Sequence, residues 1–214
     1  MPTQKAMLNA RDALTRLREG NTRYTQNVRS VDSLVSHSRR DDMDTQSPFA
    51  VIVGCSDSRA PAEVVFDQGL GDLFIIRVAG PIVAPSQIGS VEFAVEVFGT
   101  RLVVVMGHTG CGAIAATVDA VMNNKPAAAP SKNVLSIVNR LRPSVEPLVK
   151  TELAKHPARL RQEAGRANVR DAVNTLRHGS EVIERLAHED GLAVLGCELD
   201  LHTGEVVFFD GLLD

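Results

Sequence analysis

Three short apolar runs recur along the first half of the chain, and polar or amphipathic segments separate them. The runs cover residues 49–54, 73–77 and 102–106. Continuous apolar runs of this length predict strands that are buried on both faces of a sheet. Residues 61–68 and 86–98, which lie between the runs, have the length and pattern of helices. This alternation predicts a parallel sheet whose strands are joined by helical crossovers.

Further helices are predicted outside these crossovers. Residues 113–122 (AIAATVDAVM) follow the third run and have helical character. Near the amino terminus, residues 6–18 place apolar side chains at helical spacing, and Gly20 with Asn21 predicts the end of that helix. Residues 30–47 are polar and predict a loop or a short helix.

The second half of the chain differs in pattern from the first. Residues 131–190 show no strand pattern and predict helices, with breaks near Pro143, Pro147 and Pro157. Residues 192–210 (LAVLGCELDLHTGEVVFFD) predict two strands around a His-Thr-Gly turn, which would add an antiparallel edge to the sheet. We therefore expect one α/β domain: a mostly parallel β-sheet flanked by helices, with an antiparallel carboxy-terminal edge.

The composition narrows the class of protein. Of 214 residues, 44% are apolar and 23% are charged, so the chain is globular rather than disordered. A net charge of −3 gives no general attraction to nucleic acid or anionic membranes. No apolar run is long enough to span a bilayer, and the first twenty residues lack the apolar stretch of a secretory signal. We expect a cytoplasmic protein with neither nucleic acid nor membrane as a partner.

Two motifs follow the first and third predicted strands, where an α/β sheet places its ligands. Cys-Ser-Asp-Ser-Arg occupies 55–59, and His-Thr-Gly-Cys-Gly occupies 108–112. An odd, low number of cysteines argues against a disulfide framework. Two thiolates and an imidazole are the donors that Zn²⁺ prefers, and three protein ligands with one open position characterise catalytic zinc. The pattern predicts a zinc site at Cys55, His108 and Cys111.

Ordinary explanations exist for each residue taken singly. A buried cysteine such as Cys55 is usually a small hydrophobic residue. Asp57 and Arg59 could form a simple ion pair, and His108 could be a core histidine with satisfied hydrogen bonds. A structural zinc is a further alternative, in which Asp57 fills the fourth position and leaves no room for water.

Together the two motifs resemble those of the β-class carbonic anhydrases. Residues 66–80 and 90–98 resemble the segment between the motifs in that family. The similarity covers residues 8–122 and continues more loosely through residues 175–209. The resemblance implies a zinc lyase that interconverts CO₂ and bicarbonate. It implies one Zn²⁺ per chain with the ligands Cys55, His108 and Cys111.

The resemblance also implies a catalytic pair formed by Asp57 and Arg59. In the family's open state, the aspartate accepts a hydrogen bond from zinc-bound hydroxide, and the arginine holds the aspartate away from the metal. In a closed state the pair breaks, and Asp57 becomes the fourth zinc ligand. The structural-zinc alternative therefore corresponds to an inactive state of the same protein.

Substrate-binding residues follow from the same resemblance. Gln46 matches a glutamine that can hydrogen-bond substrate, and Phe74 matches a pocket aromatic. Phe93 stands where plant-type members carry a tyrosine, usually facing the partner subunit's site. Backbone amides near Gly112 are expected to help hold substrate.

A possible anion site centres on Arg77. Some bacterial members bind bicarbonate at an inhibitory site built from tryptophan, arginine and tyrosine. Arg77 matches the arginine, but Ile52 and Leu199 stand at the other two positions. We expect bicarbonate inhibition to be weak or absent.

The family implies a homodimer, or a dimer of dimers (a homotetramer), with residues 1–47 forming a helical arm that packs on the partner subunit. Two alternatives to CO₂ hydration stay open. Relatives with this metal site hydrolyse CS₂ or COS, although Gln46 and the ordinary Asp57/Arg59 pair favour CO₂. A non-catalytic zinc or redox protein is the other alternative, and retention of Arg59 argues against it.

Overall fold

A five-stranded sheet forms the centre of the molecule. The computed structural model describes residues 7–30, 46–123 and 131–211. The strands lie side by side in the order β2-β1-β3-β4-β5; the first four are parallel, and β5 runs antiparallel to β4. Their bounds are β1 Ala50–Cys55, β2 Leu73–Val78, β3 Leu102–His108, β4 Ala193–Leu199 and β5 Val206–Asp210. The predicted fold class is confirmed, including the antiparallel edge.

Helices cover both faces of the sheet. They are α1 Ala10–Thr25, α2 Ala62–Val65, α3 Pro85–Val97, α4 Gly112–Met122, α5 Lys132–Val149, α6 Pro157–His178 and α7 Glu181–Glu189, with a 3₁₀ turn at Glu152–Lys155. Alternate residues of β1 point to opposite faces. Ile52 packs in one cluster with residues of α1 and α2, whereas Val51 and Val53 pack in another with residues of α3, α6 and α7.

The predicted end of the first helix was wrong. The helix begins after Asn9, whose side chain accepts a hydrogen bond from the Asp12 N–H, and it continues to Thr25. Gly20 is inside the helix because the chain packs closely there: a Cβ at this position would lie 1.8 Å from the Phe66 carbonyl oxygen. Asn21 is buried, and its side-chain amide donates to the carbonyls of Val65 and Gly204.

The predicted helix breaks at Pro143 and Pro147 were also wrong. Both prolines lie inside α5, and both are exposed, so carbonyls left without an N–H donor can bind water instead. The opposite face of α5 is buried through Val138, Leu141 and Val145, which holds the helix together. The break at Pro157 is confirmed, because α6 begins there.

The amino-terminal helix packs on the sheet of its own chain. Ala13, Leu14 and Leu17 of α1 are buried in the cluster that contains Ile52. The arm predicted for residues 1–47 concerns a second copy and stays a prediction, and residues 1–6 and 31–45 lie outside the described residues. None of the helices in the described part of the chain has the length and hydrophobicity that a bilayer span requires.

Candidate metal centre

Three potential metal ligands converge where β1 and β3 end. These strands are neighbours in the sheet, so their carboxyl ends meet at one edge. Cys55 is the last residue of β1, and His108 is the last residue of β3. Gly110, with a φ of +68°, turns the chain back so that Cys111 stands at the start of α4. The ligand atoms of the three residues lie within 4.8 Å of one another, and all three residues are buried.

The hydrogen bonding of His108 leaves one ring nitrogen for a metal. Its Nδ1 lies 3.0 Å from the carbonyl oxygen of Thr109, which can only accept, so Nδ1 carries the hydrogen. Its Nε2 is buried and has no hydrogen-bond partner among the described residues. Metal-binding histidines are usually oriented in this way by a bond from the other nitrogen. With two thiols beside it, this free nitrogen makes the donor set fit Zn²⁺.

The two neighbouring thiols differ in acidity because they interact with each other. A side-chain hydrogen bond with Cys111 lowers the pKa of Cys55. The same bond, together with burial, raises the pKa of Cys111. Thiolate is the form that binds metal, so the lowered pKa of Cys55 favours metal binding by its sulfur.

Asp57 lies beside the three ligands and is held by Arg59. The Nε and Nη2 atoms of Arg59 donate to the two carboxylate oxygens of Asp57 at 2.9 and 2.7 Å, and the Arg59 backbone N–H also donates to Oδ1. The Oδ2 atom is 4.0 Å from Nε2 of His108. The Arg59 hydrogen bond holds the pKa of Asp57 well below its usual range despite partial burial. Asp57 is therefore an ionised hydrogen-bond acceptor beside the ligand cluster.

A wide cleft borders the cluster. Its volume is about 810 Å³, and its lining includes Arg59, His108, Gly110 and Cys111. Residues of α6 and of the β4–β5 turn also line it. Small molecules can therefore approach this edge of the sheet from solvent.

Most of the predicted substrate-binding residues lie away from the ligands within one chain. Phe74 is the second residue of β2, and its ring is 6.3 Å from that of Phe93, which is 51% exposed. Gln46 is exposed and precedes β1 by four residues. These three residues lie toward the amino ends of the strands, opposite to the ligand edge. Gly112 is different: it begins α4 directly after Cys111.

Two residues support the ligand loops in ways that the motifs alone did not reveal. Arg77 donates to the main-chain carbonyls of Cys55 and Asp57, at 2.9 and 2.6 Å. Thr109 donates its N–H to the Leu199 carbonyl and accepts the Leu201 N–H through its hydroxyl. The position of Thr109 directly after His108 was a signal that sequence reasoning could have used.

The comparison with protein families agrees with this geometry. The family described as carbonic anhydrase matches residues 50–206, which is well over half of the chain. The chain belongs to the carbonic anhydrase family. Carbonic anhydrase 2 of Mycobacterium tuberculosis is 34% identical over 194 residues, which cover 91% of this chain and 90% of that relative.

Solved β-carbonic anhydrases share the fold. The β-carbonic anhydrase CcaA gives a TM-score of 0.72 at 22% identity, over 92% of this chain and 95% of that one. A tetrameric β-carbonic anhydrase of Sordaria macrospora gives 0.69 at 21% identity, over 82% of this chain and 89% of that one. The resemblance of the two motifs to the β class is confirmed, and the chain is an enzyme of the carbonic anhydrase family.

Proposed function

We propose that this protein catalyses the reversible hydration of CO₂ to bicarbonate and a proton. The observation that carries the proposal is the convergence of Cys55, His108 and Cys111 within 4.8 Å, with the ionised carboxylate of Asp57 directly beside them. Two thiols and an imidazole beside an ionised carboxylate suit metal-assisted hydration of a small electrophile.

Cys55, His108 and Cys111 would hold one zinc ion. A zinc ion in this position would lower the pKa of a bound water toward neutrality and so supply the nucleophile. The chain's contribution is to hold these three side chains in place. The Thr109 carbonyl orients the His108 ring, and the start of α4 fixes Cys111.

Asp57 and Arg59 would position the reacting oxygen. An ionised carboxylate can only accept a hydrogen bond, so Asp57 would accept one from that oxygen and leave an oxygen lone pair directed at CO₂. Arg59 occupies both carboxylate oxygens, which favours this open arrangement over direct approach of Asp57 to the metal. The work of the pair is orientation rather than removal of a proton. In the proposed inactive state, the Asp57/Arg59 pair would break and Asp57 would become a fourth zinc ligand.

A second copy of the chain would complete the substrate pocket. Gln46, Phe74 and Phe93 lie toward the strand ends opposite to the ligands, and a six-residue strand spans roughly 17–20 Å. They can therefore reach a metal centre only in a partner subunit.

The exposed Phe93 ring and the Phe74 ring offer apolar surface for CO₂, and Gln46 offers an amide to bicarbonate. Backbone N–H groups at Gly112 would bind the bicarbonate oxygens. We accordingly propose a homodimer or a dimer of dimers.

Stopped-flow CO₂ hydration of zinc-loaded protein tests this proposal. Asp57→Asn should keep zinc and lose about 100-fold in kcat/KM, because the reacting oxygen is no longer oriented. Asp190→Asn is the matched control, since Asp190 pairs with Arg101 near the amino ends of the strands. This control should hydrate CO₂ as fast as the wild type. Full turnover in Asp57→Asn would refute the orienting role.

A zinc-loaded wild type without CO₂ hydration would refute the function itself. CS₂ and COS would then be tried as substrates of the same protein. Binding of inhibitory anions distinguishes an open zinc site from one that Asp57 closes permanently, because the anions bind only to a zinc ion with an open position.

A further inference from the structure

The side chain of Arg77 crosses from β2 to the loop that follows β1. Its Nε donates to the Cys55 carbonyl at 2.9 Å, and its Nη2 donates to the Asp57 carbonyl at 2.6 Å. These carbonyls stand on either side of Ser56, in the turn that leads from a metal ligand to the Asp57/Arg59 pair. One planar guanidinium thus bridges the turn.

Regular sheet pairing cannot hold this turn by itself. The β1–β2 register ends at Cys55 and Val78, and the last backbone bond runs from the Ser56 N–H to the Val78 carbonyl at 3.0 Å. Beyond this point β2 ends, and the chain turns at Gly80, where φ is +65°. Arg77 extends the connection between the two strands by one further residue, to Asp57.

Asp57 is therefore held through both its side chain and its main chain. Arg59 holds its carboxylate, and Arg77 holds its main-chain carbonyl, which also accepts the Ala60 N–H at 3.1 Å. Cys55 is fixed by its place at the end of β1 and by the same guanidinium. A side chain that supports two groups of one site limits how far their atoms can drift from each other.

We propose that Arg77 is a positioning residue that fixes Cys55 and Asp57 relative to each other for metal binding and turnover. This differs from the anion-binding role expected from the resemblance, since two of its nitrogens already donate to main-chain carbonyls. The effect on turnover rests on the proposed function, whereas the effect on metal affinity does not.

The test compares zinc affinities by competition with a chromophoric chelator. Arg77→Ala should weaken zinc binding by about 10-fold or more, as loss of outer contacts to a metal ligand typically does. Arg77→Lys should recover little of this affinity, because a point charge cannot bridge two carbonyls as a planar fork does. Arg101→Ala is the matched control: Arg101 donates to the carbonyls of Val95 and Thr100, away from the ligand edge, and its loss should leave zinc affinity unchanged.

A second readout reports the geometry directly. The visible absorption of Co²⁺ bound in place of zinc should change in Arg77→Ala and stay as in the wild type in Arg101→Ala. Circular dichroism establishes that each variant is folded. If Arg77→Ala does not fold, zinc affinity and the Co²⁺ spectrum are compared between the wild type and Arg77→Lys instead. CO₂ hydration should fall in kcat/KM even at saturating zinc.

Two results would overturn the positioning role. One is wild-type zinc affinity and an unchanged Co²⁺ spectrum in Arg77→Ala. The other is an effect confined to bicarbonate inhibition, which would make Arg77 an anion ligand. Absence of CO₂ hydration in the wild type would refute the proposed function and leave the affinity comparison intact.

Discussion

The three cysteines of the chain differ in chemistry because their surroundings differ. Cys55 and Cys111 face each other and His108, and a side-chain hydrogen bond with Cys111 lowers the pKa of Cys55. Cys197 lies fully buried in β4, where burial raises the pKa of its thiol and keeps it neutral. The sequence allowed this assignment, since only the first two cysteines belong to motifs that follow strands.

This contrast predicts the effect of removing each thiol. Cys111→Ser should retain far less than one zinc per chain, because the site loses a thiolate donor. Cys197→Ala should keep its zinc and lose about 1 kcal/mol of unfolding stability through a small core void. Metal analysis and urea unfolding measure the two quantities. Loss of zinc in Cys197→Ala would contradict the assignment.

Glu198 predicts a dependence of stability on pH. Its side chain is 11% exposed and lies 3.3 Å from Arg166. Burial raises its pKa above the usual glutamate value, although Arg166 opposes the shift. Because the folded chain holds this proton more tightly than the unfolded chain, protonated Glu198 contributes stability that is fully present below the unfolded pKa. That contribution is lost as the pH rises through the folded pKa.

The measurement compares the wild type with Glu198→Gln, whose amide does not titrate. Relative to this variant, the wild type should lose unfolding free energy between roughly pH 5 and pH 8. Urea unfolding at both pH values, with zinc in excess, gives the difference. If the unfolding free energy of the wild type instead rose relative to that of Glu198→Gln as the pH increased, ion pairing with Arg166 would outweigh burial.

At the scale of elements, strands were easier to predict than helix ends. Parallel strands are buried on both faces, so their sequences are continuous apolar runs that identify them locally. The end of α1 depends instead on a distant partner, because Gly20 is needed where the helix meets the Phe66 carbonyl. Arg77 presents the same difficulty: its contacts join residues about twenty positions apart, and no local pattern reports them.

Two helical glycines give opposite predictions for one substitution. Gly20→Ala should destabilise the fold by about 2 kcal/mol or more, because the new Cβ would meet the Phe66 carbonyl oxygen at 1.8 Å. Gly165→Ala in α6 should stabilise it by about 0.5–1 kcal/mol, since nothing lies within 4 Å of that Cβ and alanine favours helix. Urea unfolding measures both. Equal effects would mean that helix propensity, rather than packing against α2, decides the residue at position 20.

In the whole molecule, the described part of one chain holds the candidate ligands and the Asp57/Arg59 pair, and the cleft beside them is open to solvent. The ligand motifs are local in sequence, which is why they could be predicted. In the proposed dimer, the surroundings of Gln46, Phe74 and Phe93 include another copy of the chain, and neither the sequence pattern nor a single chain contains that information.

The exposed face of α3 predicts how assembly and activity are linked. Phe93 and Val97 are 51% and 59% exposed and lie four residues apart, on the same side of the helix. Phe93→Arg should weaken self-association and lower kcat/KM together, because in the proposed dimer Phe93 would lie both in the interface and in the partner's substrate pocket. Val134→Arg, at another exposed apolar position on α5, should change neither. Sedimentation and stopped-flow assays decide this, and an active Phe93→Arg monomer would contradict a shared site.

Removal and return of zinc on a single preparation tests whether this protein is a zinc-dependent catalyst of CO₂ hydration. The rate of CO₂ hydration would be followed at roughly pH 6.5 to 9 while a chelator strips the metal and zinc is then added back. We expect hydration to disappear with the metal and to return as zinc approaches one equivalent per chain. Hydration that survives complete removal of zinc, or fully loaded protein that never exceeds the uncatalysed rate, would contradict this expectation.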